Sequence, residues 1–208
     1  MSQPFLITGC GRSGTTWSAR LFSRLGIQTW HERQFSPTSA GPLVVPEASW
    51  LAMPYIDQLP SDTPILRVVR NPYDVVASIM QLDFQVGRPD TGNAHDAFLL
   101  EHGSSFITDP DDKLTRAIRW VTTWDYPLND HDHLVIPVDL VSAQGIVAAV
   151  KYATKNDVSI DDVRWSMEHI GTNVNTKKRT RHIITRRDID EHHEGWRVRR
   201  RAERLGYR

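Results

Sequence analysis

Apolar and polar positions along this chain follow two periods, and their alternation sets out the elements. Residues 4–8 (PFLIT) form a short apolar run that stops at Gly9, the pattern of a buried strand leaving into a turn. From 15 to 25 the apolar residues Trp17, Leu21, Phe22 and Leu25 share one stripe, which predicts an amphipathic helix. Residues 27–30 predict a short second strand, and 46–59 a helix with proline near its start. Ile65–Val69 (ILRVV) is a clear strand, and Asn71-Pro72 behind it starts a helix over 73–82. Residues 83–110 hold Gly, Asp, His and Ser without a period and read as a long loop or substrate lid. Beyond them come a helix over 111–126, a strand over 134–138 and helices at Ala143–Thr154, Ile160–Ile170 and 187–205. Strands alternating with helices predict an α/β fold, a three-layer α/β/α arrangement around a central parallel sheet. In such sheets ligands sit at the carboxyl ends of the strands, where Gly9 and Arg70 both fall.

The length of 208 residues fits a single domain with a substantial core. No apolar run approaches the ~20 residues of a membrane span, and residues 1–11 lack the basic and apolar regions of a secretory signal. The single cysteine, Cys10, has no internal disulfide partner, which suits a reducing, cytoplasmic setting. A formal net charge of zero conceals an asymmetry: residues 177–208 hold 12 Lys and Arg against 5 Asp and Glu. That segment reads equally as an anion-binding tail or as a solvated helix paired with the acidic body. The sequence shows no metal-spaced Cys/His cluster, so no metal is expected.

The segment from Gly9 to Trp17, GCGRSGTTW, carries the chemistry. A phosphate-binding loop of the form GxxxxGK[ST] cradles phosphate oxygens with backbone amides at a helix N-terminus. Gly9 and Gly14 keep that spacing and Thr16 stands at the hydroxyl position, but Thr15 replaces the lysine. The cation has moved inside the loop, to Arg12. Ser13, Thr15 and Thr16 add hydroxyl donors. A bare GxxxxG is also compatible with a generic turn, so a second signal is needed. It stands after the strand ILRVV, in the run RNPYDVVAS. Arg70 offers a bidentate fork suited to phosphate, and Ser78 follows it eight residues later on the predicted helix. The plainer alternative pairs Arg70 with a neighbour such as Asp74 and leaves Ser78 facing solvent.

GRSGTTW resembles the 5′-phosphosulfate loop of sulfotransferases that use 3′-phosphoadenosine 5′-phosphosulfate (PAPS), and RNPYDVVAS is similar to the 3′-phosphate motif of that family. The resemblance is good over roughly the first 80 residues and loose beyond, where the Asp139-Leu140 step and the ending ERLGY also match. It implies a P-loop NTPase-like fold and transfer of a sulfuryl group from PAPS, leaving adenosine 3′,5′-bisphosphate, by in-line displacement. By the same resemblance Gly11, Arg12, Ser13, Gly14, Thr15 and Thr16 bind the 5′-phosphate, Trp17 stacks the adenine, and Arg70 with Ser78 holds the 3′-phosphate. Arg12 would stabilise charge on the departing phosphate bridge. Relatives with this loop carry a Glu shortly after the first helix as the base that takes the acceptor proton. Glu32 stands in that place with His31 as runner-up, though Glu32 beside Arg33 also reads as an ion pair. The family's glycine-rich cofactor-covering segment is not recognisable; residues 173–181 (NVNTKKRTR) stand in about its place and read either as cations for the 3′-phosphate or as a charged surface turn. Glu47 is expected to sit at the positive end of the helix over 46–59. Trp50, Tyr55, Trp120 and Trp124 are either sugar-stacking or core residues. The acceptor implied is the hydroxyl, less readily the amine, of a glycan or small molecule. No nucleic-acid partner is expected, and the short chain suits a homodimer. The competing readings are a P-loop kinase or NTPase with an altered loop, and a non-catalytic protein that binds nucleotide or polyanion.

Overall fold

A computed structural model of the chain describes residues 3–82, 86–87, 91–103, 112–170 and 184–207. Five strands make one parallel sheet: β1 (Leu6–Thr8), β2 (Trp30–His31), β5 (Glu47–Ala48), β6 (Ile65–Val69) and β7 (Leu134–Pro137), in the order β2-β5-β1-β6-β7. A small antiparallel pair, β3 (Phe35–Ser36) and β4 (Ser39–Ala40), lies outside it. The α/β class and the parallel sheet expected from the sequence are therefore present.

Side chains alternate across the pleat, so each strand feeds two cores. Phe5, Ile7, Leu66 and Val68 pack with α1 (Thr15–Arg24), α5 (Ala143–Thr154) and α6 (Ile160–Ile170). Leu6 and Ile65 pack instead with α2 (Pro72–Met80), α3 (Ala94–His102), α4 (Lys113–Thr123) and α8 (Gly195–Arg204). Helix starts are set by local chemistry. Asn71 caps α2 by accepting the Tyr73 amide at 3.1 Å, with Pro72 in the first turn where no N–H is needed. Among the described residues no helix is long and apolar enough to cross a membrane.

Four sequence expectations are corrected. Residues 46–59 are not one helix: Glu47–Ala48 is a strand, followed by a 3₁₀ helix over Trp50–Gln58 that contains Pro54. The backbone of that strand fills the gap between β1 and β2, with Glu47 N donating to Phe5 O and Trp30 N to Pro46 O. Sheet pairing outweighs local propensity there. The aperiodic stretch 83–110 contains α3, whose Phe98 and Leu99 are buried beside each other and give no stripe to read. The terminal helix expected over 187–205 is two helices, α7 (Arg186–Glu191) and α8, broken at residues 192–194. The short strand expected at 27–30 is displaced to Trp30–His31.

Candidate functional site

The loop between β1 and α1 is shaped by close approaches that only glycine allows. A Cβ at Gly9 would strike the Val68 carbonyl of β6, and one at Gly11 would stand 2.8 Å from the Trp120 ring. Gly14 takes φ 115° and Arg12 φ 72°. Ser13 turns inward, its Oγ and its N–H both donating to the Cys10 carbonyl. Gly14 has no side chain with which to cap α1, and the amides of Thr15 and Thr16 find no acceptor among the described residues. Open first-turn donors at the positive end of a helix dipole suit a phosphate group.

His31 and Glu32, at the carboxyl end of β2, come to the same loop. His31 Nε2 is 3.0 Å from Thr16 Oγ1, 3.4 Å from Thr15 Oγ1 and 3.5 Å from Glu32 Oε1. Burial lowers the His31 pKa, and the charge of Arg20 lowers it further, so the ring is held neutral. Glu32 takes the left-handed φ of 52°, unusual for a residue with a side chain. Its carboxyl pKa is pushed up to about 7, first by burial and then by the charge of Glu47, against a hydrogen bond from the Trp50 side chain. Glu32 does not pair with Arg33, whose guanidinium lies 5.3 Å above the Trp30 ring.

The second anchor is divided. Ser78 Oγ accepts Arg12 Nε at 2.9 Å, so the loop cation reaches across to α2. Arg70 is engaged elsewhere: its Nε donates to Asp139 Oδ1 at 3.2 Å, and Asn71 N donates to Asp139 Oδ2 at 3.0 Å. Arg70 and Ser78 are thus brought to one edge of the sheet without sharing a bond, and the partner of Arg70 is Asp139 rather than Asp74. Trp17 is half-buried against the α1/α5/α6 core. Trp50, Trp120 and Trp124 are buried in the other core, their rings 5.0 to 6.1 Å apart, so they are packing residues first.

Residues 173–181 lie outside the described residues, as does most of the stretch 83–93. The described part of the basic segment pairs with acids: Arg199 with Asp190, Arg187 with Glu191, Arg197 with Glu194 and Arg201 with Asp125. Arg201 also belongs to a buried triad. Asp125, with no exposed surface, accepts Arg67 Nε at 2.9 Å and Arg201 Nη2 at 2.6 Å on one oxygen. The triad lies close enough to raise the Cys10 thiol through the Asp125 charge, after burial as the larger cause.

Sequence reasoning missed Glu47, which is fully buried on β5 and not at a helix end. It also missed Asp139 and Asp125 as partners of Arg70, Arg67 and Arg201, contacts that span more than fifty residues of chain. The signal was a charge at an otherwise apolar strand position, and it was present for Glu47 and Arg67. No protein-family model matches this chain, and no curated protein matches it.

Proposed function

We propose that the chain is a sulfotransferase, moving a sulfuryl group from PAPS to a hydroxyl of a glycan or small-molecule acceptor, on a three-layer fold of P-loop type. One observation carries this reading: a loop with open amides and its own cation, at the carboxyl end of β1, and a carboxylate at the carboxyl end of β2 lie on the same edge of the parallel sheet. Arg12 bonds Ser78 at 2.9 Å, while His31 bridges the loop hydroxyls and Glu32.

Bound PAPS would supply the transferable sulfuryl group. The open amides of Thr15 and Thr16 would bind the 5′-phosphate, and Arg12 would stabilise charge on the phosphate oxygen left behind. Glu32, poised near neutral pH, takes the acceptor proton. His31, kept neutral and bonded to Thr15 and Thr16, ties the base to the loop. Arg70 faces the 3′-phosphate from the end of β6, with Asp139 orienting its guanidinium. A kinase reading lacks a cation at the lysine position: the Thr15 hydroxyl there lies against His31.

Calorimetry with adenosine 3′,5′-bisphosphate and with ATP tests the proposal. Binding of the bisphosphate is expected to be tighter than that of ATP by about 100-fold, the gain of one charge-assisted phosphate clamp. Tighter ATP binding overturns the reading.

A further inference from the structure

Glu47 brings an ionisable carboxylate into the sheet with no exposed surface. On β5 it stands in register with Leu6 of β1 and Trp30 of β2. Burying a carboxylate is costly, and burial raises the Glu47 pKa; bonds to both oxygens and the charge of Arg33 pull against it in part. Oε1 accepts the backbone N–H of Arg33 at 2.7 Å and of Gln34 at 3.3 Å, and Oε2 accepts the Gln34 side-chain amide at 3.3 Å. Gln34 is pinned in turn, its Nε2 donating to Val45 O at 3.0 Å and its Oε1 accepting Val44 N at 2.7 Å. These bonds all fall on the two residues that follow Glu32, whose φ is 52°. A side-chain-bearing residue keeps that conformation only where its surroundings over-determine it.

We propose that Glu47 is a positioning residue for Glu32: its carboxylate clamps the turn after β2 and so aims the Glu32 carboxylate at the reaction. The inference rests on the reading of Glu32 as the general base. An apolar side chain on β5 would pack the sheet equally well but would release the Arg33 and Gln34 amides. The charged and titratable groups around Glu32 are few. His31 adjoins it on β2, Glu47 faces it from β5, and Trp50 donates to it from the 3₁₀ helix. Arg33 turns away onto Trp30, and Arg20 of α1 acts on His31. The charge of Glu47 also holds the Glu32 pKa up, adding to burial.

Two variants separate charge from clamping. Glu47→Gln keeps an acceptor oxygen and the shape but removes the charge; Glu47→Ala removes both. The first measurement needs no substrate: carboxyl carbon NMR follows the titration of Glu32, which in the wild type is expected at about 7. In Glu47→Gln the midpoint should move to lower pH, and the acid limb of kcat/KM should move with it. In Glu47→Ala, kcat should fall about 10–100-fold, the effect of a base misplaced by about 1 Å, with donor KM within about threefold. An unmoved Glu32 midpoint in Glu47→Gln, or wild-type kcat in Glu47→Ala, overturns the proposal. If Glu47→Ala does not fold, Glu47→Asp replaces it: its shorter reach breaks the Arg33 bond, and undiminished kcat there is equally fatal. A shifted Glu32 midpoint in a protein that transfers no sulfuryl group supports the pairing of Glu47 with Glu32 and sinks the sulfotransferase reading instead.

Discussion

Asp125 and Glu32 are both carboxylates withdrawn from water, and they respond in opposite directions. Asp125 has no exposed surface, so burial alone would protonate it, yet its pKa is lowered because Arg201 and Arg67 both donate to one of its oxygens. The Glu32 side chain is 26% exposed, its strongest neighbouring charge is the like charge of Glu47, and its pKa rises to about 7. Burial raises both carboxyls, and the partners decide whether that is overcome: two arginines reverse it at Asp125, whereas Glu47 adds to it at Glu32. The Asp125 region is built to hold α8 against the sheet. The Glu32 region is built to leave one proton undecided near neutral pH.

The sharpest way to break this contrast is to remove the Asp125 charge. Asp125→Asn leaves two arginines buried without a counter-charge, and denaturant unfolding should show a loss of about 3–5 kcal/mol. The pH dependence follows from the sign of the shift. A folded pKa below the usual 3.8 gives stability that is complete above 3.8 and is lost as pH falls through the folded value. The wild type should therefore lose stability below pH 3.8 more steeply than Asp125→Asn. Equal acid slopes would show that the triad is not ionised as drawn.

The two arginines at the candidate site sharpen the comparison on a smaller scale. Arg12 is held by Ser78 inside the site, whereas Arg70 is tied to Asp139 at its rim, 37% exposed. Arg12→Ala should lower kcat about 100-fold with donor affinity changed only severalfold, because its charge acts as the leaving group departs. Arg70→Ala should weaken adenosine 3′,5′-bisphosphate by about tenfold, the loss of a screened charge-assisted bond, and leave adenosine 5′-phosphate unaffected. Calorimetry with the two nucleotides reads the difference, and equal losses for both would count against a 3′-phosphate clamp.

How far the sequence reveals these features depends on the range of the contact involved. The loop glycines, the Asn71-Pro72 helix start and the eight-residue step from Arg70 to Ser78 are local, and each could be read directly. Glu32 and His31 were legible as candidates because they follow α1 closely. The meeting of His31 with Thr15 and Thr16 was not, since it depends on β2 lying beyond β5 in the sheet. Glu47 was misread for the same reason: proline and an acid ahead of apolar residues mimic a helix start, and only pairing between β1 and β2 makes them a strand. In α3 Asn93 caps the first turn by accepting His95 N at 2.9 Å, but two adjacent buried side chains form no stripe, so the sequence there reads as loop.

The smallest effect tests the Glu32 side of the contrast without any substrate. Its folded pKa of about 7 lies above the ordinary 4.5, so the folded state prefers the protonated carboxyl. Its contribution to stability is complete below 4.5 and is lost as pH rises through about 7, where ionisation charges a partly buried group beside Glu47. Glu32→Gln resembles the protonated form in shape and neutrality. It should therefore match the wild type near pH 4 and be more stable at pH 8, a gain of a few degrees in Tm for about 1 kcal/mol at this chain length. The same variant should lose transfer activity, the usual exchange between stability and a poised functional group. A variant less stable than wild type at pH 8 would mean that the Glu32 carboxylate is satisfied in the fold, and the distinction from Asp125 would vanish.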